Sequence, residues 1–153
     1  YYNNLLLRKD CVKMSKVAVV YWSGTGNTEA MANAVADGAK ASGAEVELFK
    51  PADFNAEKMA AFDGIAFGCP SMGDEVLEED EFEPMFNKLT ASLGGKRIAL
   101  FGSYGWGDGE WMRNWDSNCD SAGATRVCDS VICNEAPDDD AIASCKALGA
   151  ALA

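Results

Sequence analysis

Lys16-Val17-Ala18-Val19-Val20-Tyr21-Trp22-Ser23-Gly24-Thr25-Gly26-Asn27-Thr28 is the stretch that decides how this chain folds. Its first half is a continuous apolar run with β-branched residues, the pattern of a strand buried on both faces. Its second half, Ser23 to Thr28, has hydroxyl or amide side chains at four positions, glycine at two and no charge. Ala30, Ala34, Val35 and Gly38 then take up a helical period. Strand, tight loop and helix start make an anion site, because free backbone N–H groups and the positive end of the helix dipole point into the loop. Ser and Thr hydroxyls add donors, so the loop suits a terminal phosphate without Lys, Arg or metal. A Walker A loop is excluded, since no lysine lies between Lys16 and Lys40. The dinucleotide fingerprint is excluded too, because Glu29 stands where its third glycine belongs. A turn that merely caps the helix is the plainer alternative, but the hydroxyl density exceeds what a cap needs.

Outward from this stretch, apolar runs and helical periods alternate. Strands are expected at Val17–Tyr21, Val46–Phe49, Gly64–Gly68, Arg97–Phe101 and Val127–Cys133. Helices are expected from the first loop to Gly43, briefly around Ala56–Ala61, and over Phe82, Phe86, Leu89 and Leu93. A further helix carries Met112, Trp115, Cys119 and Ala122, and the last carries Ile142, Cys145, Leu148 and Leu152 behind an acidic first turn at Asp138–Asp140. Strands separated by helices predict an α/β fold, a parallel sheet covered on both faces in three layers with right-handed crossovers. Ligands then bind beyond the carboxyl ends of the strands, where the strand order reverses. Three informative loops fall at such ends: Ser23–Thr28, Cys69–Glu75 and Ser103–Gly109.

The 153 residues fit one domain, large enough to bury about 68–70% of its unfolded surface. A net charge of −11 argues against nucleic acid and anionic membranes and favours basic protein partners. No stretch approaches a membrane span. Histidine is absent, which removes histidine base chemistry and histidine metal sites, and no metal site is expected. None of the six cysteines is spaced as Cys-x-x-Cys, so buried thiols in a reducing cytoplasm are the expectation. Residues 1–13 differ in character from the rest and read as an N-terminal extension without function, ahead of a single ligand-binding domain over residues 14–153.

The second loop reads Gly68-Cys69-Pro70-Ser71-Met72-Gly73-Asp74-Glu75, and the third Gly102-Ser103-Tyr104-Gly105-Trp106-Gly107-Asp108-Gly109. With the first loop, they resemble the three FMN-binding loops of flavodoxins, over essentially all of residues 14–153. The Met-Gly-Asp-Glu and Tyr-Gly-Trp-Gly-Asp-Gly versions resemble the short-chain type of anaerobic, clostridial-like bacteria. The fifth strand also lacks an insertion. The resemblance implies a doubly wound, flavodoxin-like fold with a five-stranded sheet of order 2-1-3-4-5 and one bound FMN. It implies a cytoplasmic monomer that shuttles low-potential single electrons between redox proteins through semiquinone and hydroquinone states.

The resemblance also assigns residues. Ser23, Gly24, Thr25, Gly26, Asn27 and Thr28 would hold the phosphate. Met72, a soft thioether, and Trp106, a large π surface, would flank the flavin ring. Ser71, Asp74, Ser103, Tyr104 and Asp108 belong to the same loops. The Gly73 carbonyl would accept from flavin N5–H after a peptide flip, which a glycine makes at little cost. Glu75 would accept from flavin N3–H, N–H groups from Gly105 to Gly107 would meet the carbonyl edge, and Asn134 would touch the ribityl chain. Pro70 departs from the small polar residue of the pattern and removes a donor. Asp74, Glu75, Glu78, Glu79, Asp80, Glu81 and Glu83 form an acidic cluster that would oppose anionic reduced flavin and steer basic partners. An FMN-dependent quinone or nitro reductase on the same fold is the alternative, although the chain has no spare segment for a substrate lid. A phospho-acceptor domain of this topology is rejected, because its acids and lysine are missing at the strand ends.

Overall fold

Hydrophobic alternation along the strands sorts the core into two layers, one on each side of the sheet. In the computed structural model, which describes residues 15–73 and 75–153, strand β1 (Lys16–Tyr21) is interior to the sheet and buried on both faces. Ala18 and Val20 face one side with Ile65, Phe67, Ile98 and Leu100, whereas Val17, Val19 and Tyr21 face the other with Ala66, Ala99 and Phe101. Each large apolar side chain removed from water contributes about 1.5–3 kcal/mol.

The chain order is β1, α1 (Asn27–Ala41), β2 (Glu45–Phe49), α2 (Ala56–Met59), β3 (Gly64–Gly68), α3 (Phe82–Leu89), β4 (Arg97–Tyr104), α4 (Glu110–Ser121), β5 (Thr125–Arg126), β6 (Val131–Asn134) and α5 (Asp139–Leu152). Helices α1 and α5 cover one face. Gly38 and Gly149 let their backbones meet, because a Cβ at either position would overlap a carbonyl of the facing helix, Lys146 O or Val35 O. Helices α3 and α4 cover the other face with an aromatic layer, in which Trp115 stands edge-on to Phe82 and Phe86 at ring separations of 5.4 and 5.6 Å.

Every strand pair is parallel and the order is β2-β1-β3-β4-β5, as expected. The fifth position differs from the single strand expected at Val127–Cys133. It holds two short strands, β5 and β6, which pair with opposite ends of β4, so the sheet has six strands. The physical cause lies between them. Arg126 donates to both carboxylate oxygens of Asp120 at 2.9 and 3.0 Å, and Ser130 Oγ donates to Asp116 Oδ1 at 2.6 Å. Val127 N–H still donates to Ile98 O at 3.0 Å, and the residues after it, up to Ser130 held against α4, leave the ladder. Strand β4 is also longer than expected and carries Ser103 and Tyr104 to the sheet's end.

Candidate functional site

The carboxyl ends of β1, β3, β4 and β6 open on one side of the sheet. A cleft of about 190 Å³ lies there, lined in part by Thr25, Thr28, Ser71, Met72, Ser103 and Tyr104. A larger hollow of about 580 Å³ lies along the edge strand β2, between Glu45, Lys58 and Phe62. It receives none of the three loops. Convergence of strand ends, rather than volume, therefore places the site.

The first loop turns through Gly26, whose φ of 97° no ordinary side chain adopts without strain. Ser23 organises it from within: its Oγ accepts from Gly26 N–H at 3.1 Å and from Glu29 N–H at 3.2 Å. The N–H groups of Gly24, Thr25, Asn27 and Thr28 find no acceptor among the described residues. Thr28 is the decisive residue. Its side chain is 1% exposed and its Oγ1 has no hydrogen-bond partner among the described residues. Leaving such a group unsatisfied costs about 1–3 kcal/mol. A buried hydroxyl beside four free N–H groups at a helix start fits a phosphate.

The second loop is a short hairpin turn. Met72 N–H donates to Val76 O at 2.8 Å and Val76 N–H to Met72 O at 2.9 Å. Gly73 has φ 50° and Glu75 has φ 59°. Cys69 is buried and donates its backbone N–H to Phe101 O, while Ser71 N–H donates to Ser103 O. Met72 stays 36% exposed at the rim of the cleft. Asp74 lies outside the described residues.

In the third loop, Tyr104 packs its ring 5.6 Å from Trp111, beneath the loop, and Trp106 stands 62% exposed. Gly107 lies beneath the Glu75 carboxylate. That carboxylate accepts from Glu110 N–H at 3.2 Å, the start of α4, so Glu75 bridges the second and third loops. Asp108 pairs with Arg113 at 2.9 Å on the surface. Asn134 Nδ2 donates to Tyr104 O at 3.2 Å, which binds the end of β6 to the end of β4.

The cleft thus gathers Gly24, Thr25, Asn27, Thr28, Ser71, Met72, Ser103, Tyr104 and Gly105 of the expected residues. Ser23, Gly26, Gly73, Glu75, Trp106, Gly107, Asp108 and Asn134 belong to the same loops and strand ends but do not line it. Three lining residues were not foreseen as site residues: Trp22, Pro70 and Glu135. Trp22 and Pro70 abut expected loop residues in sequence, a signal that was available. Glu135, at φ 61°, follows Asn134 at a strand end, and only the register of β6 reveals it.

The acidic cluster is not uniform. Glu78 is 6% exposed, and its carboxylate accepts from Asp80, Glu81 and Phe82 N–H at 2.9, 2.7 and 2.8 Å. It caps α3 instead of facing partners, which corrects its reading as a steering charge. Glu79, Asp80 and Glu81 are exposed. The described cysteines are all free thiols. Burial pushes Cys119 and Cys145 up to about 12 and Cys69 higher still, so these three remain protonated. Cys11 and the proposed extension at residues 1–13 lie outside the described residues.

The sequence model of the flavodoxin family matches residues 19–149. The chain belongs to the flavodoxin family. The flavodoxin of Megasphaera elsdenii is 50% identical over 137 residues, covering 90% of this chain and 98% of that protein. The flavodoxin of Clostridium beijerinckii is 46% identical over 121 residues, covering 79% and 88%. Both relatives fit the short-chain, clostridial-like type that the loop sequences resemble. The solution structure of the two-electron reduced Megasphaera elsdenii flavodoxin superposes with a TM-score of 0.82 at 49% identity, over 89% of this chain and 97% of that one. As a flavodoxin, the chain is a small electron-transfer flavoprotein with FMN as its cofactor. The unpartnered Thr28 hydroxyl and the free N–H groups of its loop fit the phosphate of that cofactor. Among the described residues, no helix is long and apolar enough to cross a membrane.

Proposed function

We propose that this chain shuttles single low-potential electrons between larger redox proteins and turns over no substrate of its own. One observation carries the reading: a cleft at the strand ends lined both by a buried Thr28 hydroxyl that has no partner among the described residues and by an exposed Met72. FMN, when bound, supplies two successive one-electron transfers.

The residues divide the work. Ser23–Thr28 hold the phosphate through backbone N–H groups and hydroxyls, with Ser23 keeping the loop in shape. Met72 and Trp106 shield the two faces of the ring while leaving its edge open to partners. With FMN bound, the Gly73 carbonyl would be the acceptor for a proton on the flavin ring, and the positive φ of Gly73 suits a residue without Cβ. Glu75 accepts from the pyrimidine edge, and N–H groups from Gly105 to Gly107 donate to it. Asn134 meets the ribityl chain, as the resemblance implies. Asp74 follows Gly73 in the sequence of the second loop and adds a negative charge to it, whereas the charge of Asp108 is met by Arg113. Glu79 and Asp80, both exposed, oppose further negative charge on the cofactor and steer basic partner surfaces. Free thiols and an acidic surface suit a cytoplasmic monomer.

Stopped-flow spectroscopy of the FMN-loaded chain tests this. Mixing with NADH alone should leave the flavin oxidised over seconds, whereas a basic reductase should reduce it in one-electron steps. Rapid turnover of NADH with a quinone or nitro compound would replace the carrier reading with that of a reductase.

A further inference from the structure

Trp22 is a wall of the cleft that none of the roles above uses. Its backbone N–H donates to Gly68 O at 3.0 Å, which seats it at the end of β1 against β3. Its ring separates the cleft from a second hollow of about 200 Å³ that Tyr21, Glu29, Lys50 and Glu81 line. Gly24 lies directly on the ring, since a Cβ there would sit 3.0 Å from the far ring carbon. The first loop therefore packs closely against the benzo end of the indole at Gly24.

The indole itself is held from a distant element. Its Nε1 donates to Glu81 Oε1 at 2.7 Å, across 59 positions of sequence. Glu81 is fixed in turn, because its backbone N–H donates to the buried Glu78 carboxylate at 2.7 Å. A continuous relay runs from the start of α3 through Glu78, Glu81 and Trp22 to Gly24.

We propose that Glu81 is a positioning residue for the phosphate-holding loop and acts on it through Trp22. The proposal rests on the FMN reading above and adds a role for one member of the acidic cluster. Glu81 faces the indole rather than a partner protein, and its charged hydrogen bond is stronger than a neutral one. With the ring pinned, the loop keeps its N–H groups and the Thr28 hydroxyl converging before any ligand arrives. Without the pin, the ring can turn, Gly24 loses its support, and ordering the loop opposes binding.

The test compares FMN with riboflavin, which lacks the phosphate, by fluorescence titration of the flavin-stripped full chain. Trp22→Phe keeps a ring but removes the donor and the far carbon under Gly24. Glu81→Val removes the acceptor, and Glu81→Gln keeps an acceptor oxygen. Trp22→Phe and Glu81→Val should each weaken FMN about tenfold, equal to about 1.4 kcal/mol. Riboflavin affinity should stay within about twofold, and Glu81→Gln should recover most of the loss. The double variant should bind FMN no worse than the weaker single variant, since both remove one interaction. Equal losses for FMN and riboflavin would overturn the proposal, as would additive losses in the double variant. If Glu81→Val fails to fold, Trp22→Phe decides alone: unchanged FMN affinity overturns the proposal. Failure of the unaltered chain to hold FMN would overturn the proposed function and this inference together, a result distinct from either failure among the variants.

Discussion

The loop after β1 and the loops after β3 and β4 lie at the same end of the sheet, yet they are built on opposite principles. Ser23–Thr28 turn inward. The loop is closed by Ser23, supported by Trp22, and ends at a buried hydroxyl that lacks a partner. The other two turn outward. They carry Met72 and Trp106 at 36% and 62% exposure, and they hold Gly73, Glu75, Gly107 and Gly109 at positive φ. A charge that never changes is best met by a rigid, preorganised cradle. A ring that takes up a proton with its first electron needs a backbone that can respond, and glycine provides one. The contrast suggests that affinity resides in the first loop and redox tuning in the other two.

The largest effect should come from breaking the inward loop. Thr25→Ala combined with Thr28→Ala removes two donors to a charged group and should weaken FMN by roughly 3–6 kcal/mol. Riboflavin affinity should change little, and isothermal titration with both ligands checks this. Thr28→Val sharpens the point, because it keeps the shape of the side chain and removes the unpartnered hydroxyl. Urea melts should show the flavin-free chain stabilised by about 1 kcal/mol or more, while FMN affinity falls. A loop that serves only as a cap would show neither outcome.

A smaller effect should come from stiffening the outward loops. A Cβ at Gly73 meets nothing within 4 Å, so Gly73→Ala probes backbone conformation and not space. Positive φ costs a residue with Cβ about 1–2 kcal/mol. Since about 59 mV corresponds to 1.4 kcal/mol for one electron, the first one-electron potential should fall by several tens of millivolts. Spectroelectrochemical titration should also show less of the one-electron form, with the second potential little moved. An unchanged first potential would remove Gly73 from the tuning role.

The smallest effect concerns the acids beside those loops. Asn or Gln at Glu79 and Asp80 should slow association with a basic acceptor at low salt and flatten its salt dependence, as stopped-flow rates over a salt series would show. Glu78→Gln should do neither. It should instead lower the melting temperature, because it weakens the acceptor of three N–H groups at the start of α3. Equal kinetic effects from Glu78 and Glu79 would erase the distinction between cap and steering charge.

The chain's local patterns were enough to reveal the alternation of strands and helices, the three loops at strand ends and the phosphate-like character of Ser23–Thr28. Each is written within a few neighbouring residues, in the period of apolar side chains and the placing of glycines and hydroxyls. The order 2-1-3-4-5 followed from the family resemblance of those loops. Tertiary structure alone decided which carboxylates serve the protein itself. Glu75, Glu78, Glu79 and Glu81 read identically as letters. One accepts from Glu110 N–H across 35 positions, one is buried as a cap, one is exposed, and one holds Trp22 across 59 positions. The break between β5 and β6 has the same origin, since Ser130 turns to Asp116 on α4, 14 residues earlier in the chain. Apolar periodicity reports which face of an element is buried. The Glu78 cap is closed by its next neighbours, but the partners of Glu75 and Glu81 depend on what the fold brings beside them, and that has no local trace.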